Sequence, residues 1–252
     1  MRRGPFRRVA DGGGLAVFNN LLSLSWELLL DSRQIPAAAN GTPIALWPDI
    51  SGNGRDANPV PGFEPLYRPV GNVLASPTNL PLADFGAVAN SQMFGTLPGT
   101  GVGNSAGFSF YSWYELDSVP SAGAGDGQIL FGDDVVNGFR MIVSQFIGVG
   151  DMEVRFQFNA NVTGSVATTG RHTLTCICAP PSGTGTMELF YDGVSVGTAV
   201  WTGNPQTTYL VSGNSVQNVW LRGRLGMVGF GKRVDSASTR ANVESYLRRT
   251  WG

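Results

Sequence analysis

With 252 residues the chain has the length of one large β sandwich, and its 42% hydrophobic and 10% aromatic content excludes a disordered chain. Glycine (35) and proline (15) are abundant while charged residues make up only 14%, a turn-rich and weakly charged composition. A net charge of -1 excludes the global field that gathers nucleic acid or an anionic membrane surface.

Residues 1–20 read as a basic arm, in which Arg2, Arg3, Arg7 and Arg8 precede an Asp11-Gly-Gly-Gly hinge. A segment of this kind stays frayed unless a partner ties it down, so these arginines are the expected anchor. Asn19, Asn20 and Glu27 interrupt the apolar residues between Leu15 and Leu30, which does not fit a secretory signal. No run approaches the roughly 18 apolar residues of a membrane span. Residues 21–252 are expected to form one domain.

From Trp26 onward, short apolar or alternating runs are separated by Gly, Pro, Asn and Asp clusters, the rhythm of an antiparallel sandwich. Strands are predicted at Trp26–Leu30, Leu80–Phe85, Gln128–Phe131, Phe139–Val143, His172–Cys178 and Leu225–Phe230. The clearest is Phe108–Leu116. Its Phe108, Phe110, Tyr114 and Leu116 share one face and Tyr111, Trp113 and Glu115 the other, so it is expected to be central. Met152–Phe158 alternates more strictly, with Val154, Phe156 and Phe158 inward. Cys176 and Cys178 point to one face of their strand and read as buried free thiols rather than a disulfide or a zinc site. Asp192-Gly193, between two alternating runs, predicts a hairpin on a type I′ turn. The chain then closes on a helix, with Ser236 or Ser238 as cap, Val243, Tyr246 and Leu247 as apolar stripe, and Arg248 and Arg249 against the negative end of the dipole.

Leu46-Trp-Pro-Asp-Ile-Ser-Gly-Asn-Gly-Arg-Asp-Ala resembles the signature near the start of laminin G-like, concanavalin A-like domains. Phe108–Leu116, Gln128-Ile-Leu-Phe-Gly, Arg171-His-Thr-Leu, the run from Gly185 to Gly197 and the closing Val243–Gly252 follow in that family's order. The resemblance covers about residues 24–252. It implies an all-β jelly-roll sandwich of two antiparallel sheets with a short terminal helix, and ligand surfaces on the concave sheet and rim loops. It implies little about function, because this architecture carries lectins, hydrolases, adhesion modules and capsid parts.

Related glycoside hydrolases begin their active strand with Glu-x-Asp, as in Glu115-Leu116-Asp117, but need a second glutamate soon after; here Ser118-Val119-Pro120 follows. A Ser-His-Asp triad has only His172 to draw on, without a nucleophile elbow. The chain is expected not to be an enzyme. Some laminin G-like relatives bind calcium on rim loops, which makes Asp49, Asn53 and Asp56, and Asp133 and Asp134, candidate ligands. The alternative for such residues beside glycine is that they bond their own turns. Trp113, Trp201, Tyr209 and Trp220 either stack on sugar rings or fill the core. The expected function is a structural or interaction protein of a bacteriophage particle (decoration, fibre or tail), holding other virion proteins through its arm and taking host-surface carbohydrate. The alternative is a carbohydrate-binding module at a bacterial surface. In either setting the chain is expected to work as an oligomer or part of a larger assembly.

Overall fold

The computed structural model describes residues 21–69, 80–97, 107–118, 127–132, 139–145, 153–157, 161–166, 168–180, 185–201, 208–212 and 220–252. The basic arm with Arg2, Arg3, Arg7 and Arg8, and the loop with Asp133 and Asp134, lie outside the described residues, as do the side chains of Val154, Phe156 and Phe158.

The strands are β1 (Leu28–Asp31), β2 (Asn58–Pro59), β3 (Leu66–Arg68), β4 (Leu82–Asp84), β5 (Met93–Thr96), β6 (Phe108–Leu116), β7 (Gly127–Gly132) and β8 (Arg140–Gln145). They continue with β9 (Glu153–Gln157), β10 (Asn161–Val166), β11 (Gly170–Cys178), β12 (Gly185–Tyr191), β13 (Val194–Trp201), β14 (Thr208–Val211) and β15 (Gly223–Gly231), and the helix α1 (Ala237–Trp251) follows. Two antiparallel sheets result. The first runs β13-β12-β11-β6-β15-β4-β3, with β1 also paired to β15, and the second runs β10-β9-β8-β7-β14-β5-β2. The protein is therefore an all-β sandwich closed by one short helix.

The central place predicted for β6 follows from its two apolar faces. Phe108, Phe110, Tyr114 and Leu116 enter the core between the sheets, where they meet Phe131, Met141, Leu174, Tyr209 and Val228. Tyr111 and Trp113 enter a second cluster on the other side of the first sheet, under α1, with Trp26, Val243, Tyr246, Leu247 and Trp251. Each fully buried aromatic contributes about 1.5–3 kcal/mol of transfer free energy, which is why a weakly charged chain with many aromatics folds this way. Glycine makes room where the helix side is crowded. A Cβ on Gly229 would lie 2.7 Å from the Trp26 ring, and one on Gly226 2.7 Å from the Trp251 Nε1.

Local signals are obeyed closely. Asp192 and Gly193 have φ of 51° and 85°, the positive values a type I′ turn requires, and join β12 to β13. The Ser236 hydroxyl accepts from the Thr239 amide at 3.2 Å and caps α1. Cys176 and Cys178 are buried, unbonded and 3.6 Å apart at sulfur. β1 begins two residues later than predicted, because Trp26 leaves the strand: its indole donates to the Leu21 carbonyl at 2.8 Å, and its ring takes the Arg233 guanidinium at 4.4 Å. The short strands β2, β3, β5 and β14 have no counterpart in the sequence prediction, since two to four residues are too few for alternation to register. Among the described residues no helix is long and apolar enough to cross a membrane.

Candidate functional site

The loop expected to take a cation is built on itself. The Asp49 Oδ1 accepts from the amides of Leu29 and Ser51, both at 2.9 Å. Its Oδ2 accepts from the Ser51 hydroxyl at 2.7 Å and the Arg55 amide at 3.0 Å. Asp56 accepts from the Asp49 amide at 2.8 Å, and the Asn53 side chain donates to the carbonyls of Trp26 and Glu27. Asp49, Asn53 and Asp56 thus staple residues 46–57 to the edge of β1 and satisfy backbone groups that would otherwise be orphaned. Among the described residues no three His, Cys, Asp or Glu side chains converge as a metal site would require.

Three of the four candidate sugar-stacking aromatics are core residues, which corrects that expectation. Trp113 stacks on Trp251 at 6.2 Å. Trp201 packs edge-on to Phe108 and donates to the Ala179 carbonyl at 3.0 Å. Tyr209 stacks on Phe131 at 5.4 Å and donates to the Arg55 carbonyl at 2.6 Å, and burial drives its phenol far above the usual range. A ring covered on both faces offers a sugar nothing. Trp220 alone of the four is partly exposed, with the Arg222 guanidinium 5.6 Å from its ring.

The Glu-x-Asp pair at the end of β6 is tied to arginine. Arg224 reaches Asp117 at 2.7 Å and Glu115 at 3.2 Å, and Arg171 stands 3.7 Å from Glu115. Asp84, Arg224, Glu115 and Arg171 oppose one another on β4, β15, β6 and β11, a row of alternating charge across the first sheet. Arg68 extends it to Asp84 at 2.7 Å. Two carboxylates sharing one guanidinium form a cross-strand brace rather than an acid and a nucleophile facing across a groove. His172 does have an acid and a hydroxyl beside it: Nδ1 is 2.8 Å from Asp192 and Nε2 is 3.1 Å from the Thr168 Oγ1. The Asp192 carboxylate also accepts from the Thr173 amide at 2.8 Å. The group holds the β12–β13 turn against β11.

What sequence reasoning missed is on the second sheet. In β5, Met93 and Gly95 point into the sandwich while Phe94 and Thr96 point out. A Cβ on Gly95 would sit 2.4 Å from the Tyr209 ring, so Tyr209 lies flat beneath the strand and props it. Phe94 is 45% exposed, and Phe63, whose carbonyl accepts from the Gln92 amide at 3.0 Å, is 38% exposed. These are the exposed aromatics among the described residues. Opposite Phe94 stand Asn58 and Leu210, and opposite Thr96 stands Thr208. The result is an outward apolar ring set among an amide and two hydroxyls. The signal in the sequence was one outward aromatic in a four-residue strand.

No family model matches the chain, and no curated protein matches it. Solved structures of the same fold do. Domain 4 of AbnA, an extracellular arabinanase of Geobacillus stearothermophilus held with arabinotriose, matches at a TM-score of 0.57 and 12% identity, over 88% of this chain and 98% of that domain. Botulinum neurotoxin type C, whose cell entry depends on two ganglioside molecules, matches at 0.53 and 12% over 91% of this chain and 53% of the other. Trypanosoma rangeli sialidase matches at 0.53 and 12% over 92% of this chain. The chain spans about half of the toxin chain and 37% of the sialidase. At such identities the likeness is one of fold, and the chain is similar in architecture to β-sandwich domains found in glycan-handling proteins and toxins.

Proposed function

We propose that this chain is a non-catalytic interaction module that binds carbohydrate on the outer face of its second sheet. The observation that carries the reading is Phe94, exposed on the outward face of β5 and opposed or flanked there by Asn58, Thr96 and Thr208. Sugars are recognised by an apolar ring face against their C–H groups, with nearby amides and hydroxyls for their own hydroxyls. The likeness to an arabinanase domain held with arabinotriose, over nearly that whole domain, supports it. Support for a non-enzymatic role comes from Glu115 and Asp117, which are braced by Arg224.

The bearer of the module is a bacteriophage particle, in which the chain serves as decoration, fibre or tail protein and the arginines of residues 1–20 dock onto other virion proteins. A bacterial surface module is the second reading, favoured by the likeness to a domain of an extracellular enzyme. A glycan array tests binding, and silence across all glycans would leave only a structural role. Deleting residues 1–20 separates the bearers: particle incorporation lost with the body still folded supports the anchor, and unchanged incorporation defeats it.

A further inference from the structure

We infer that the rim just before β15 carries a second sugar site, separate from the Phe94 face, in which Trp220 and Arg222 take an anionic sugar; it rests on the reading above only in that the ligand is a carbohydrate. Five of the six tryptophans are buried, and Trp220 is half-buried. Leu221 is fully buried in the core between the sheets, so alternation turns its two neighbours outward together. The Arg222 guanidinium accordingly lies 5.6 Å from the centre of the Trp220 ring.

Arg222 differs from the arginine two residues on. Arg224 is buried and neutralised by Glu115 and Asp117, whereas among the described residues no carboxylate pairs with Arg222. The Arg222 backbone, by contrast, is fixed on both sides. Its amide donates to the Gln128 Oε1 at 2.6 Å, and its carbonyl accepts from the Asp117 amide at 3.0 Å. Gln128 is itself buried and donates through Nε2 to the Ser118 carbonyl at 2.7 Å, so one polar side chain of β7 clamps two points of the rim. The chain alongside is Gly86, where a Cβ would lie 3.2 Å from the Arg222 carbonyl carbon, followed by Ala87; both are exposed and small, which leaves that flank open. A guanidinium held at an aromatic face keeps its N–H groups for an anion, and on a fixed backbone it loses little freedom when the anion arrives. A carboxylate or sulfate ester on a sugar would pair with Arg222 through charge-assisted hydrogen bonds while the C–H face of the sugar covers Trp220. An uncharged sugar offers the guanidinium only hydroxyl oxygens, which are weaker partners. The acids close by do not compete, since Asp117 is engaged by Arg224 at 2.7 Å and Glu115 by Arg224 at 3.2 Å.

The test is calorimetric titration of the full chain with an oligosaccharide carrying a carboxylate, the same oligosaccharide with that carboxyl reduced to the alcohol, and a sulfated counterpart. The variants are Arg222→Gln, which removes the charge, Arg222→Lys, which keeps the charge and loses the fork, Trp220→Ala, and Phe94→Ala, which takes away the other face. Each replaced side chain is at least partly exposed, so the variants should melt with the wild type. An anionic sugar bound about tenfold or more tightly than the reduced one, with that margin lost in Arg222→Gln, partly kept in Arg222→Lys, lowered in Trp220→Ala and still present in Phe94→Ala, is the expected result. Which of the two anions binds more tightly then identifies the acidic group. Equal affinity for the anionic and reduced sugars, wild-type binding in Arg222→Gln, or loss of the anionic preference in Phe94→Ala would overturn the inference while leaving carbohydrate binding on β5 in place. No binding of any of the three sugars would overturn both.

Discussion

Arg224 shows how much one side chain can organise. It is nearly buried, and it stands between Glu115 on one neighbouring strand and Asp84 on the other, with Asp117 within reach of the same guanidinium. Removing it leaves a largely buried Glu115 with one distant arginine. Arg224→Ala is expected to lower unfolding free energy by about 2–3 kcal/mol, most of it the penalty of stranding the carboxylates. Urea denaturation measures this, and a loss below 1 kcal/mol would mean the row is solvated and contributes little. The sequence offered Glu115-Leu116-Asp117 as the opening of a hydrolase's active strand and argued against it from the missing second glutamate. Their arginine partners, on β11 and β15, are remote in sequence and no local pattern pointed to them.

At the scale of elements, periodicity and turn chemistry did most of the specifying. The hairpin β12–β13 was readable because Asp-Gly is the pair that tolerates positive φ twice. Gly193→Ala is expected to destabilise the protein by about 1–2 kcal/mol, and Gly193→Asn by less, since asparagine visits the left-handed region more readily. Equal losses for the two variants in a denaturant series would show that space near Arg248, rather than backbone strain, limits the site. The helix α1 was legible for the same kind of reason, a hydroxyl cap and an apolar stripe at helical spacing. β5 was not, although it carries the proposed site. Four residues give only two outward and two inward positions, and the strand exists because β14 and β2 pair with it and the Tyr209 ring lies under Gly95.

For the whole molecule, the tyrosines report on the closed core. Tyr111, Tyr114, Tyr191 and Tyr209 are raised above the ordinary phenol value, and Tyr246 is pushed up to about 12, burial being the first cause in each. A group that holds its proton more tightly when folded stabilises the fold fully below the unfolded pKa of about 10 and loses that contribution as pH rises toward the folded value. Melting temperature is therefore expected to fall from about pH 10 upward, with the tyrosinate absorbance of these five side chains appearing only as the protein unfolds. Phenolate forming near pH 10 at any of these five in a folded chain would contradict the buried placement. The amino-acid order alone determined what is local: alternation for the strands, a glycine turn for the hairpin, a capped stripe for the helix, and enough apolar surface to close one sandwich. It assigned Trp113 to one side of a strand and left Phe94 outside any strand, because a side chain's direction is read from alternation among near neighbours. Which side is covered depends on what arrives from afar. α1 buries Trp113 and nothing among the described residues buries Phe94, so only the tertiary structure decided that the first is core and the second is surface.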